Sequence, residues 1–155
     1  MNLLYAVLNP IVRTLLRSPL HGLMSGNTML LSYRGRRSGR QFVIPVSYVR
    51  TDRGVGAFAA RESAWWKNLQ DGPEVELRLA GRSVQARARV EKDDRGAIAE
   101  GLTRFLVAVP RDAGPSGVRL ASDGTPDPDD VRAAADRLVA VFFEPSTAPP
   151  LPGAR

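Results

Sequence analysis

The chain has 155 residues, 43% of them apolar, with one histidine, no cysteine and a formal charge of +6. That length and apolar content support one domain with its own core. The absent cysteine excludes disulfide scaffolding, thiolate catalysis and a cysteine-ligated metal or iron–sulfur site.

The charge is unevenly placed. Seven arginines and no acidic residue fall in the first fifty positions, +7 there, so the other 105 positions carry 15 basic against 16 acidic residues and sum to −1. A field focused in this way gathers an anionic ligand, nucleic acid or a membrane surface. Residues 1–24 read as an amphipathic helix, with Leu4, Leu8, Ile11 and Leu15 on one stripe and a bend near Pro10. Asn9-Pro10 and Arg13 interrupt it too early for a membrane span, and it lacks the pattern of a cleaved leader. A cytoplasmic protein is the simplest expectation, with peripheral contact to the inner face of the membrane through this helix as the alternative. His21 has no partner in sequence and reads as a packing or capping residue, and no metal-ligand cluster is apparent.

From Thr28 to Val90 the pattern becomes strand-like. The spacing predicts strands over Met29–Tyr33, Val43–Arg50 and Val55–Ala60, with Thr51-Asp52-Arg53-Gly54 as the turn between the last two. Residues 74–79 and 83–90 alternate so that a two-residue turn at Ala80-Gly81 sets Leu77 opposite Val84 and Glu74 opposite Arg87. Between the third and fourth strands, ESAWWKNLQDGP reads as a short helix capped by Ser63 and stopped by Asp71-Gly72-Pro73. A longer helix is predicted from Arg95 to Val109. The stretch from Pro110 to Asp130 has little periodicity and reads as a ligand-side loop or a mobile excursion. A helix opened by Asp129 follows, and then a sixth strand over Leu138–Phe143 that would close the barrel. The expected organisation is mainly β with flanking helices (α+β), a split β-barrel of about six antiparallel strands over 25–145, and a Pro-rich flexible tail over 146–155.

Within this frame, YRGRRSGR at 33–40 is either a solvated turn or an anion cradle. Ser38-Gly39 could converge backbone N–H groups, while Arg36, Arg37 and Arg40 supply charge-assisted fork donors to phosphate or carboxylate. It is neither a P-loop nor a dinucleotide fingerprint.

Several motifs in order resemble the split-barrel deazaflavin (F420)-dependent nitroreductase and quinone-reductase family, relatives of the FMN-binding pyridoxamine-phosphate oxidases. They are Leu30-Leu31 before Gly35-Arg36-Arg37-Ser38-Gly39-Arg40, Ile44-Pro45-Val46 with Tyr48, the strand end Ala59-Ala60-Arg61, Trp65-Trp66-Lys67-Asn68-Leu69, and Pro73-Glu74-Val75 with Gly81-Arg82 and Ala86-Arg87-Ala88. The likeness covers residues 17–90 and, more weakly, the strand ending Phe143-Glu144-Pro145. It implies an oxidoreductase that passes a hydride from reduced F420 to a quinone or other conjugated acceptor. By the same resemblance Arg36, Arg37, Ser38, Gly39 and Arg40 would serve the phosphate side of the coenzyme, Pro45 and Val46 its ring system, and Ala59, Ala60 and Arg61 the ring or its side chain. Lys67 would add charge for the tail, with Trp65, Trp66 and Asn68 as further contacts. The other reading of these three is that the tryptophans anchor the helix to the barrel and Asn68 caps it locally. Tyr48 or Ser47 would donate a hydrogen bond to an acceptor oxyanion.

Two departures stand against transferring nitroreduction: only Glu62-Ser63-Ala64 separates Arg61 from Trp65, and no tyrosine follows Pro110. The alternatives are an FMN-, haem- or bilin-binding split barrel, a non-catalytic cofactor carrier, or a nucleic-acid-binding small barrel. A homodimer is a further expectation, since a second subunit could cover an open edge of the barrel.

Overall fold

A computed structural model describes residues 27–146. The N-terminal helix, His21 and the tail beyond Ser146 lie outside the described residues. Seven strands form a single antiparallel sheet: β1 (Thr28–Arg34), β2 (Gln41–Ser47), β3 (Val49–Arg50), β4 (Val55–Ala60), β5 (Glu74–Leu79), β6 (Arg82–Glu91) and β7 (Leu138–Pro145). Their spatial order is β2-β1-β5-β6-β7-β4-β3.

The two ends of that order are consecutive in sequence. Only Tyr48 separates β2 from β3, so one residue joins the opposite edges of the sheet and the sheet curls into a barrel. Residues 43–50 therefore do not form the continuous strand expected of them. The Tyr48 N–H still follows the β1 side, donating to the Asn27 carbonyl at 2.8 Å, and the chain then crosses to pair Val49 with Gly56. Strand β7 is central rather than closing. It pairs with both β6 and β4, and the seam of the barrel lies between β2 and β4.

Alternation decides which side chains fill the barrel. Met29 and Leu31 from β1, Ile44 and Val46 from β2, Leu77 from β5, Ala86 from β6 and Phe143 from β7 all point into one core that also takes in Tyr48 and Trp66. The β5–β6 hairpin has the expected register, Leu77 against Val84 and Glu74 against Arg87. Its turn holds Ala80 at φ 49° and Gly81 at φ 77°, the left-handed pair that a two-residue hairpin requires. At the β3–β4 turn Gly54 is obligatory on different grounds. A Cβ there would lie 1.9 Å from the Phe143 carbonyl oxygen.

Three helices cover the outer face of β4 and β7: α1 (Arg95–Ala108), α2 (Ala113–Ser116) and α3 (Pro128–Ala135). Asp94 caps α1 by accepting from the Ala97 N–H. Asp127, rather than Asp129, caps α3 through the Asp130 N–H, with Pro128 in the first turn. Leu102, Phe105, Leu106 and Val109 form a second apolar cluster with Ala113, Val118, Val131 and Ala134, packed over Phe58 and Leu138 of the sheet. The segment after Pro110 is thus ordered. It contains a 3-10 turn at Pro110–Asp112 and helix α2, and the Arg119 side chain grips both carboxylate oxygens of Asp130 at 2.7 and 3.1 Å. The aperiodicity of this stretch reflects short elements joined by tight turns.

Candidate functional site

Strand alternation gives the outer faces of β2 and β4 a different role from their inner faces. Pro45 and Ser47 face outward from β2, and Phe58 and Ala60 face outward from β4, on either side of the seam. Together with Val46 they form one wall of a groove of about 350 Å³. Trp65, Phe105 and Leu138 add apolar surface, while Asp112, Pro115 and Ser116 supply the wall opposite the barrel. The Phe58 and Phe105 rings meet edge to face with centroids 5.3 Å apart, which fixes the side of the groove beneath α1.

The wall opposite the barrel is held in place through its backbone. Arg137 donates to the Ser116 carbonyl at 3.1 Å and to the Ala133 carbonyl at 3.3 Å, and the Val118 N–H closes onto the Ala113 carbonyl at 2.9 Å. Gly117 takes the left-handed φ of 75° that ends α2.

Of the residues expected at the coenzyme, the structure brings Pro45, Val46, Ala60 and Trp65 to this groove, with Ser47 beside them. Ala59 faces the barrel core. Trp66 is buried, and its indole N–H is shared between the Ala60 and Arg61 carbonyls at 3.1 Å each, so it anchors the 3-10 turn Trp65–Leu69 to the end of β4. That turn is a 3-10 helix whose first N–H groups receive no side-chain cap; Ser63 takes part through its backbone, donating to the Ala60 carbonyl at 3.0 Å. Arg61 is committed to internal bonds. Its side chain donates to the carbonyls of Asp136 (3.1 Å) and Lys92, and its N–H donates to Arg137. It braces the end of β4 against the turn before β7, which leaves it little capacity to serve a coenzyme. Tyr48 is 3% exposed within the barrel core and does not line the groove. Burial pushes its phenol above the usual value, with Arg50 partly offsetting that shift.

The arginine loop lies at one end of this arrangement. Its backbone donors are mostly spent within the protein: Gly35 N–H on the Arg40 carbonyl (2.8 Å), Gly39 N–H on the Gly35 carbonyl (2.8 Å), and Arg40 N–H on Ser38 Oγ (3.2 Å). The Arg36 N–H donates to Asn68 Oδ1 at 3.0 Å. A cradle of converging N–H groups is therefore not what this loop offers, and Ser38 and Gly39 act as its turn formers, Gly39 at φ 69°. What it offers is guanidinium charge. Arg36, Arg37 and Arg40 are exposed, and among the described residues no carboxylate lies within ion-pair distance of them or of Lys67. Asn68 also donates from Nδ2 to the Ala64 carbonyl at 3.0 Å, so one side chain braces the 3-10 turn from within and ties it to the arginine loop.

The β1–β2 register orients the groove. Arg34 pairs with Gln41 at the loop end and Thr28 with Ser47 at the other, six strand steps or about 20 Å apart. The groove lies at the Ser47 end of β2, and the arginine loop lies beyond the opposite end of that strand. No group of three or more His, Cys, Asp or Glu suited to a metal occurs among the described residues.

A family model described as F420H(2)-dependent quinone reductase matches residues 14–108. The chain belongs to that family. A Mycobacterium tuberculosis protein named as an F420H(2)-dependent quinone reductase is 36% identical over 76 residues, 45% of this chain and 63% of that protein. The chain therefore spans a little under two thirds of the length of that relative. Among solved structures, a pyridoxamine 5'-phosphate oxidase-related, FMN-binding protein of Nostoc punctiforme superposes with a TM-score of 0.52 at 15% identity, covering 88% of this chain and 79% of the other. A chain described as a domain-swapped dimer gives 0.52 at 17% identity, covering 89% and 96%. At those identities the likeness is one of fold, and the shared fold is the split barrel.

Sequence reasoning missed Phe58, Phe105, Asp112, Pro115, Ser116 and Leu138 as groove residues. Phe58 and Leu138 lie in strands whose outward positions are as apolar as their inward ones, so alternation does not separate core from groove. Asp112 and Ser116 lie in the aperiodic stretch, where only the Pro110 and Pro115 breaks hinted at local turns.

Proposed function

We propose that this quinone-reductase family member binds the deazaflavin coenzyme F420 with its ring system in the seam groove and its anionic tail toward the arginine loop, and that it reduces a quinone or another conjugated acceptor at the Ser47 end. One observation carries this reading: a groove with mainly apolar walls lies against the Ser47 end of β2, and the turn that brings Trp65 into it is tied through Asn68 to a loop of exposed, unneutralised arginines. The residues present suit the coenzyme. Trp65 and Pro45 offer flat apolar surface to a ring, with the Val46 backbone between Pro45 and Ser47, and the Arg36, Arg37, Arg40 and Lys67 side chains offer fork and point charges to phosphate and carboxylate.

When bound, reduced F420 supplies a hydride, and the protein then has to position the partners and exclude water rather than furnish a nucleophile. The apolar walls exclude water. Ser47 can donate its hydroxyl proton in a hydrogen bond to a carbonyl oxygen of the acceptor as negative charge develops there, and solvent supplies the proton that completes the quinol. Among the described residues that line the groove there is no histidine or cysteine, which accords with so modest a demand.

The test is a titration of the purified full chain with oxidised F420 and, separately, FMN, haem and biliverdin, followed by absorbance and fluorescence. Saturable F420 binding that weakens as salt rises is expected, and with reduced F420 the protein should reduce naphthoquinone. Tight FMN binding with no response to F420 would overturn the cofactor assignment. F420 binding without acceptor turnover would favour a carrier.

A further inference from the structure

We propose that Asp112 makes the acceptor end of the groove a charge filter that admits neutral quinones and turns away anionic ones. The inference rests on the quinone-reductase reading and names the substrate class of the same site. Among the described residues Asp112 is the one ionisable residue that lines the groove, and Ser47 and Ser116 are the hydroxyl-bearing ones. The wall carrying Asp112 belongs to the far end from the arginine loop. Arg111, its neighbour, donates to the Thr28 hydroxyl at 3.1 Å, and Thr28 is the strand partner of Ser47. The groove thus carries a carboxylate near the Thr28–Ser47 end of the strand pair, away from the arginine loop.

The carboxylate is placed where screening is weak. The Asp112 side chain is 26% exposed and lines the groove together with Phe105, Leu138 and Pro115, apolar groups that displace water and lower the local dielectric. Arg111 offsets this only partly, because its Nε stands 3.9 Å from Asp112 Oδ1, its side chain is half exposed, and it does not line the groove. A neutral quinone enters without charge conflict. A quinone bearing a carboxylate or sulfonate brings a second anion into the same apolar space, where like charges repel without water to shield them.

The experiment compares naphthoquinone with naphthoquinone sulfonate on the full chain. Equilibrium binding is read from quenching of tryptophan fluorescence, since Trp65 lines the groove, and turnover is read with reduced F420. The wild type should bind the neutral compound at least about tenfold more tightly, equivalent to about 1.4 kcal/mol. Asp112→Asn should bring the two within about twofold by strengthening the anionic ligand alone. Ser116→Asp, which adds a carboxylate to the same wall, should widen the gap. Equal affinities in the wild type, or a gap that Asp112→Asn leaves unchanged, overturn the filter. Because the quenching assay needs no coenzyme, a filter seen in binding without turnover would separate failure of the hydride-transfer reading from failure of this inference.

Discussion

The backbone N–H of Arg36 donates to the side-chain oxygen of Asn68 across 32 positions of sequence, joining the arginine loop to the turn that carries Trp65. An exposed bond of this kind contributes roughly 0.5–1.5 kcal/mol. Asn68→Ala should therefore leave the fold intact and raise the F420 dissociation constant by about two- to tenfold, because the loop loses its fixed position. Asn68→Asp keeps the acceptor oxygen and should recover part of the loss. Identical F420 binding in Asn68→Ala and the wild type, measured by titration, would mean that the loop is positioned by its own internal bonds alone.

Replacing Arg36 or Arg37 with Gln tests the charge itself. If each guanidinium meets phosphate or carboxylate, each loss removes a charge-assisted bond of roughly 1.5–3 kcal/mol and weakens F420 at least about tenfold. The effect should shrink for a coenzyme fragment without phosphate and glutamate tail. Stability should move by no more than about 0.5 kcal/mol, as for other exposed positions. An unchanged dissociation constant in both variants at moderate salt would leave this loop a solvated turn.

Ser47 and Tyr48 are neighbours with separate fates, one in the groove and one in the core. Ser47→Ala should lower kcat by roughly 10- to 100-fold through loss of one hydrogen bond of about 1.5–3 kcal/mol to developing charge, with little change in F420 affinity. Tyr48→Phe should leave kcat within about twofold, and a large loss in that variant would return Tyr48 to the chemistry. Tyr48 acts instead on stability at high pH. Its folded pKa lies above the ordinary value of about 10, so the unfolded chain releases the phenolic proton first and stability falls as pH rises beyond about 10. Below that pH both states keep the proton and the effect vanishes. Denaturant titrations of Tyr48→Phe and wild type from pH 8 to about 11 should show a smaller alkaline loss in the variant.

Gly54→Ala should destabilise the protein by about 2–3 kcal/mol, since the added methyl meets the Phe143 carbonyl oxygen and the turn must shift away from β7. Gly39→Ala meets no atom within 4 Å, and its cost is confined to the left-handed φ of 69°. Chemical denaturation of the two variants should therefore rank Gly54→Ala as the more damaging, and the reverse order would contradict the close approach.

The sequence was most legible where one face of a strand is wet and the other dry. In β5 and β6 the charges on Glu74, Glu76, Arg87 and Arg89 mark the outside, and strand limits, register and turn were all evident. Legibility failed where both faces are covered. In β4 and β7 the apolar residues run without a break, and the outward Phe58 and Leu138 look no different from the core. The break at Tyr48 was hidden for a related reason: Val43, Ile44, Val46, Tyr48 and Val49 keep a strand-forming composition across it, and only the three-dimensional seam separates the two strands. Arg61 looked like a ligand for an anion because its partners, the carbonyls of Lys92 and Asp136, carry no mark in sequence. The arginine loop and the Trp65 turn were visible as motifs, whereas Asp112 and Ser116 depended on turns that have no period.

The central position of β7 imposes an order on synthesis. Strand β4 has no neighbour but β3 and β7, and β3 is held only through β4, so the β3–β4 hairpin has no ladder to the rest of the sheet while the nascent chain lacks Leu138–Pro145. Nearly 80 residues separate Ala60 from Leu138, a wait of roughly 4–16 s at ordinary elongation rates. During that interval the half containing β1, β2, β5 and β6 can assemble by itself, while Val55, Ala57 and Phe58 remain available to whatever chaperone or sister chain reaches them first.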